Sequence, residues 1–158
     1  MMLGLWKYTW KVRLFGLARI PLIFFCWPKV IALSAERCEV VVPLGWRTGN
    51  HWGSMYFGAL AVGADCAGGL FAMEKMKQHK DANLSLVFKD FKASFLKRAM
   101  RSVVFVCDDA AKIDEQIEEA VRTGERVTRG IRIDAYTVGE EREHVAEFEL
   151  GLSLKKRV

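Results

Sequence analysis

No two of the four cysteines, Cys26, Cys38, Cys66 and Cys107, form a CxxC pair, and His51, His79 and His144 are as widely scattered. A protein metal site draws on closely spaced thiolates or imidazoles, so no metal is expected. Isolated cysteines without partners read as reduced thiols, which points to the cytoplasm. There is no internal repeat and no low-complexity tract. A zinc finger, an aromatic RNA-binding signature and a dense arginine run are all missing, which argues against nucleic acid. The N-terminal region also lacks acids: none precedes Glu36. Its longest uncharged run, Ile20 to Pro28, is far shorter than the roughly 18–20 residues that span a bilayer. A secretory signal fits poorly, because Arg19 interrupts the apolar region and cleavage near "ALSA" would cut the first strand.

What is present suits one packed domain of 158 residues, 51% hydrophobic and 27% charged. A net charge of +5 and a pI of about 9.1 favour an anionic partner: a phosphate-bearing ligand, a membrane surface or nucleic acid, the last disfavoured by the missing motifs. Trp6, Trp10, Leu14 and Leu17 recur at helical spacing and predict a helix over 2–18, ended or kinked by Pro21. Residues 1–27 therefore form an amphipathic helical segment, and 28–158 the main domain. The segment is expected to pack on that domain, with a basic, Trp-bearing helix lying on a membrane as the alternative reading.

Residues 30–43 are rich in β-branched side chains and predict one strand. A loop with Gly45, Gly49 and Gly53 follows, and Ser54 is the expected N-cap of a helix running to about Lys77. Residues 84–97 alternate loosely, and "RSVVFVC" reads as the next strand. Asp108 or Asp109 can cap a helix whose stripe is Ile113, Ile117, Ala120 and Val121, with Gly124 as its stop. The acidic outer face of that helix reads as solvated. Two strands, about 125–138 and 143–156, close the chain around Gly139. The pattern is α+β, with a mostly antiparallel sheet and one dominant helix.

That long helix is unusual. Ten of the eighteen residues from Met55 to Ala72 are Gly, Ala or Cys, and Asp65 stands among them. Each internal glycine costs about 1 kcal/mol relative to alanine, so close tertiary approach must compensate. Gly58 lies seven residues before Asp65, on nearly the same face. Tyr56 lies roughly 13 Å away along the axis. Asp65 therefore cannot easily meet the start of its own helix, but it could meet the start of a second copy's helix packed antiparallel. Helix-start amides suit an oxyanion, and burial at such an interface would raise the pKa of Asp65.

The stretch "NHWGSMYFGALAVGADCAGG" resembles the central helix of the hotdog-fold thioesterase superfamily, in its phenylacetyl-CoA-thioesterase-like branch. That branch carries an Asn, a His-Gly-Gly six residues on, and an Asp nine residues after the His. Here Asn50, Tyr56-Phe57-Gly58 and Asp65 keep the same intervals. The stretch is closer still to an uncharacterised hotdog branch known only as a domain of unknown function. The fold resemblance covers about 28–156, the motif about twenty residues.

The resemblance implies a long central helix wrapped by a curved sheet of five to six strands, and a homodimer or a tetramer with active sites at the interface. It also implies an acyl-CoA or acyl-carrier-protein substrate, coenzyme A entering only as part of it. Asp65 becomes the general base or nucleophile, Gly58 and its neighbours the oxyanion hole, and Asn50 a water-positioning group. Tyr56, Phe57 and His51 become candidate substrate contacts. Tyr56 departs from the pattern: its hydroxyl can donate a hydrogen bond but cannot replace an imidazole base. Lys97, Arg98, Arg101 and the tail 155–157 are candidate phosphate contacts. The alternative function is a non-catalytic acyl-CoA or lipid-binding hotdog protein. A dehydratase is disfavoured by Tyr56. Peripheral membrane contact through residues 1–28 is compatible with each reading.

Overall fold

The computed structural model describes residues 4–157. Two helices, α1 (Leu5–Arg19) and α2 (Pro21–Cys26), lead into strands β1 (Lys29–Leu33) and β2 (Cys38–Val42). The long helix α3 (Phe57–Met76) continues through a 3₁₀ stretch, Lys77–Ala82, into β3 (Leu84–Phe95) and β4 (Val103–Cys107). Helix α4 (Ala110–Thr123) precedes the long strands β5 (Val127–Thr137) and β6 (His144–Lys156). The six strands form one sheet in the order β1-β2-β4-β5-β6-β3, with every pairing antiparallel. This is the architecture of a hotdog fold: a central helix against an open antiparallel sheet.

The single strand expected over 30–43 is two. The β-branched run breaks at "SAER", where Ser34 Oγ accepts hydrogen bonds from the Glu36 and Arg37 amides and turns the chain. The stripe of α4 is buried as expected at Ile113, Ile117 and Ala120, and Gly124 ends the helix at φ 72°. Its acidic face does more than meet water. Glu115 and Glu119 bracket Arg129 at 2.7 and 2.8 Å, and Asp114 holds the buried Lys75 of α3 at 2.7 Å. Asp109 stands at the N-cap of α4, but its carboxylate accepts from the Arg132 amide of β5 (2.7 Å) and from Lys112.

Alternation along β5 and β6 turns Ile131, Ile133, Phe148 and Leu150 inward, while Arg132 and Glu149 point to solvent. The glycines of α3 answer to this inner face. A Cβ on Gly63 would penetrate the Phe105 ring of β4, and one on Gly68 would stand 3.0 Å from Ile131. Small residues thus let the helix backbone sit directly on the sheet. By length and composition alone, Phe57–Ala82 could also cross a membrane, but 56% of its apolar window is buried here as the core helix.

Helix α1 lies close to its expected bounds; residues 2 and 3 of the expected helix fall outside the described residues. It packs on the domain through a different face from the periodic one. Thr9 Oγ1 bonds both the amide and the carbonyl of Val30, Gly16 is buried against α2, and Tyr8 and Val12 pack on the core. Trp6, Trp10, Leu14 and Leu17 face outward.

Candidate active site

Asp65 sits near the middle of α3 on the part of the helix that the sheet leaves open. Gly58, Ala61, Asp65 and Gly69 are all only partly buried, and successive turns of 100° put them within roughly an 80° arc. The small neighbours form a shallow track with one carboxylate in it. A Cβ on Gly69 would stand 4.0 Å from Asp65 Oδ1 and 3.7 Å from the Phe88 ring of β3, so the acid lies toward the edge strand. No hydrogen bond or ion pair among the described residues reaches it. Burial alone pushes its carboxyl above the ordinary aspartate range.

The start of α3 forms a second group. Tyr56, not Ser54, is the N-cap, at φ −65° and ψ 139°. Ser54 is taken up by Asn50, whose Oδ1 accepts from the Ser54 and Trp52 amides at 3.2 and 2.9 Å, while Nδ2 donates to Ser54 Oγ. Asn50 thus closes a tight turn that delivers the chain to the helix. The loop is pinned further by Tyr56 N–H to Thr48 O and Met55 N–H to Ala99 O. No side chain caps the helix, and the Phe57 and Gly58 amides have no partner among the described residues. Free donors at the positive end of a 20-residue helix suit an oxyanion.

The helix start borders a cleft of about 540 Å³ lined by Asn50, His51, Tyr56, Phe57, Lys97 and Arg98, among others. Tyr56 and Phe57 are 49% and 60% exposed, with ring centroids 4.7 Å apart, and the Phe57 ring meets Phe95 at 6.4 Å. Lys97 and Arg98, candidate phosphate contacts from the sequence, lie in the segment after β3, which the structure sets beside the helix start. Leu96, Lys97, Arg98 and Ala99 form one wall, and only the Met55–Ala99 bond between distant segments reveals it. Within one chain Asn50, His51, Tyr56 and Phe57 come together, while neither Gly58 nor Asp65 lines their cleft. The eight-residue step from Phe57 to Asp65 is roughly 12 Å of helix.

Another cluster lies on the outer sheet face. Asp134, His144 and Glu147 bring three ligand atoms within 4.8 Å of one another. Sequence spacing could not show it, because the grouping comes from the antiparallel register that sets Asp134 against Glu147. The Arg132 guanidinium already bonds Asp134 and Glu147 at 2.9 and 3.1 Å. The cluster is an ion-pair network with a cation of its own.

Fold and helix together define a hotdog-fold protein. The chain belongs to the family described as "Domain of unknown function (DUF4442)", whose model matches residues 10–150. No curated protein matches it. Among solved structures it is similar to a Pseudomonas aeruginosa protein of unknown function called a probable thioesterase. That pair shares 22% identity at a TM-score of 0.78, over 94% of this chain and 96% of the other. A Chlorobaculum tepidum protein of unknown function matches with a TM-score of 0.79 and 14% identity, over 96% of each chain. A thioesterase family protein from Silicibacter pomeroyi matches with a TM-score of 0.68 and 17% identity, over 94% of this chain and 99% of the other. At these identities the likeness establishes the fold.

Proposed function

We propose that this protein is an acyl thioesterase that hydrolyses an acyl-CoA or acyl-carrier-protein thioester at the interface of a homodimer. The observation that carries the reading is Asp65: a carboxylate with raised pKa and no partner among the described residues, set in an open track of small residues on α3. A second α3 laid antiparallel along that track would bring its Phe57 and Gly58 amides to this Asp65, and each copy would complete the other's site.

In that site the thioester carbonyl oxygen points at the free amides. Asp65 takes a proton from water as the water oxygen bonds the carbonyl carbon. The oxyanion collapses, the C–S bond breaks, and the proton passes to the departing thiolate. The aromatic rings of Tyr56, Phe57 and Phe95 supply an apolar wall for the acyl group, and Lys97 and Arg98 suit the phosphates of the carrier arm. Asn50 acts here by shaping the turn. A cytoplasmic location belongs to this proposal, because it would put the protein where an acyl-CoA substrate is found.

The exposed Tyr56 and Phe57 at the helix start favour the second reading, a binder of acyl thioesters without turnover. Free coenzyme A released from short, medium, long and aryl acyl-CoAs, detected by mass, separates the two. Release by the wild type that collapses in Asp65→Asn supports hydrolysis. Tight binding of an acyl-CoA with no release from any member of the panel supports the binder.

A further inference from the structure

The outward face of α1 is distinct from the candidate active site. Trp6, Trp10, Leu14 and Leu17 stand on it, each 43–56% exposed, about 100° round the helix from the packed Thr9 and Gly16. Turning 100° per residue puts Lys7 and Lys11 along one flank and Arg13 along the other. The surface continues beyond the helix. Trp10 meets Trp27 edge-on at 6.3 Å, and Phe25 of α2 meets Trp46 at 5.7 Å. Trp46 itself is 82% exposed. Arg13 stacks on Trp27 at 4.1 Å, and Arg47 lies over Trp27 and Trp46 at 5.1 and 5.4 Å. Burial first, and then the neighbouring Arg47 guanidinium, lower the Arg13 pKa. No acid occurs in residues 1–35.

We propose that the α1–α2 face, with Trp46 and Arg47, docks on an anionic lipid bilayer, lying in its interface without crossing it. A soluble fold rarely leaves so many aromatic and aliphatic tips in one contiguous exposed patch. Tryptophan rings at headgroup depth, leucines below them and cations along the flanks match an interfacial helix on acidic lipid. The charges select this occupant. A second copy seated face to face would set the same cations against each other, and Glu74, the acid that borders α1, is already held by Tyr8 and Lys77. A phosphate backbone would leave Leu14, Leu17 and Leu22 without partners.

The test is co-sedimentation of the full chain with phosphatidylcholine–phosphatidylglycerol vesicles and with pure phosphatidylcholine vesicles. The wild type is expected to sediment with the mixed vesicles and far less with the neutral ones. The pair Lys7→Gln and Lys11→Gln should weaken binding about thirtyfold, from the usual contribution of two cations near an acidic surface. Leu14→Glu with Leu17→Glu should abolish it while melting temperature and light-scattering mass stay at wild-type values. Wild-type protein left in the supernatant of the mixed vesicles overturns the proposal, as does wild-type binding by the lysine pair. Loss of oligomer mass in the leucine pair would assign the face to a second copy instead. If the leucine pair fails to fold, the lysine pair alone decides.

Discussion

Asp65→Asn separates two consequences of one buried carboxyl. Burial raises the pKa of Asp65 above its ordinary 3.8, and no charge or hydrogen bond offsets that loss of solvation. Between 3.8 and the folded value, the native state holds a proton that the unfolded chain has released. Stability is therefore lost as pH rises through that window, and the whole deficit is present at neutral pH. Each tenfold weakening of the acid corresponds to about 1.4 kcal/mol. Asparagine has nearly the same shape and carries no such deficit. The variant should melt above wild type at neutral pH, by about 2–4 °C per kcal/mol for a chain of this size. The two curves should converge as pH falls below the unfolded value. The same change removes the proton acceptor, and thioester hydrolysis should fall by about 10²–10⁴. Melts across pH must be run at one protomer concentration, because subunit association shifts them. A variant that melts below wild type at neutral pH would show that the carboxylate makes a stabilising contact. Unchanged turnover would remove Asp65 from the chemistry.

Gly63→Val would drive side chain into the Phe105 ring, and overpacking of this kind costs about 1–3 kcal/mol; a urea midpoint equal to wild type would show that the helix can shift. Asn50→Ala removes the acceptor shared by the Trp52 and Ser54 amides. It should cost about 1–2 kcal/mol in a thermal melt and lower kcat more than KM, because the helix start moves; an unchanged melt would refute the turn's role. All four thiols are buried. Burial raises the pKa of each, that of Cys107 to about 12. Only thiolates react, so a disulfide reagent should label no cysteine in native protein and all four after unfolding; rapid native labelling would refute this.

The fold was legible where periodicity is strong. The stripe of α4, the two closing strands around Gly139 and the small-residue run of α3 each match an element in place. The hairpin β1–β2 was hidden because its turn lies within an apolar run and rests on Ser34 bonding back to Arg37. The helix start was misplaced by two residues because a cap signal at Ser54 competes with an Asx turn at Asn50, and the turn takes the serine. The Trp6–Leu17 stripe was read correctly as a helix, but periodicity gives a face without saying what covers it. The site was partly legible. The intervals among Asn50, Tyr56, Gly58 and Asp65 singled out the residues that α3 and its preceding turn position. Lys97 and Arg98 could not be placed beside them, because that wall depends on pairing between segments more than forty residues apart.

The glycines of α3 also bear on the order in which the molecule assembles. A helix with Gly58, Gly63, Gly68 and Gly69 carries about 4 kcal/mol of intrinsic cost relative to alanine, so it has little tendency to form by itself. The contacts that compensate Gly63, Gly68 and Gly69, made by Phe105, Ile131 and Phe88, lie later in the chain. β5 and β6, by contrast, pair across a short connection. The physical expectation is that this hairpin forms early and α3 condenses late on a sheet that is already largely built. During synthesis the segment that holds Asp65 would then emerge as open chain and stay so until β6 has cleared the ribosome.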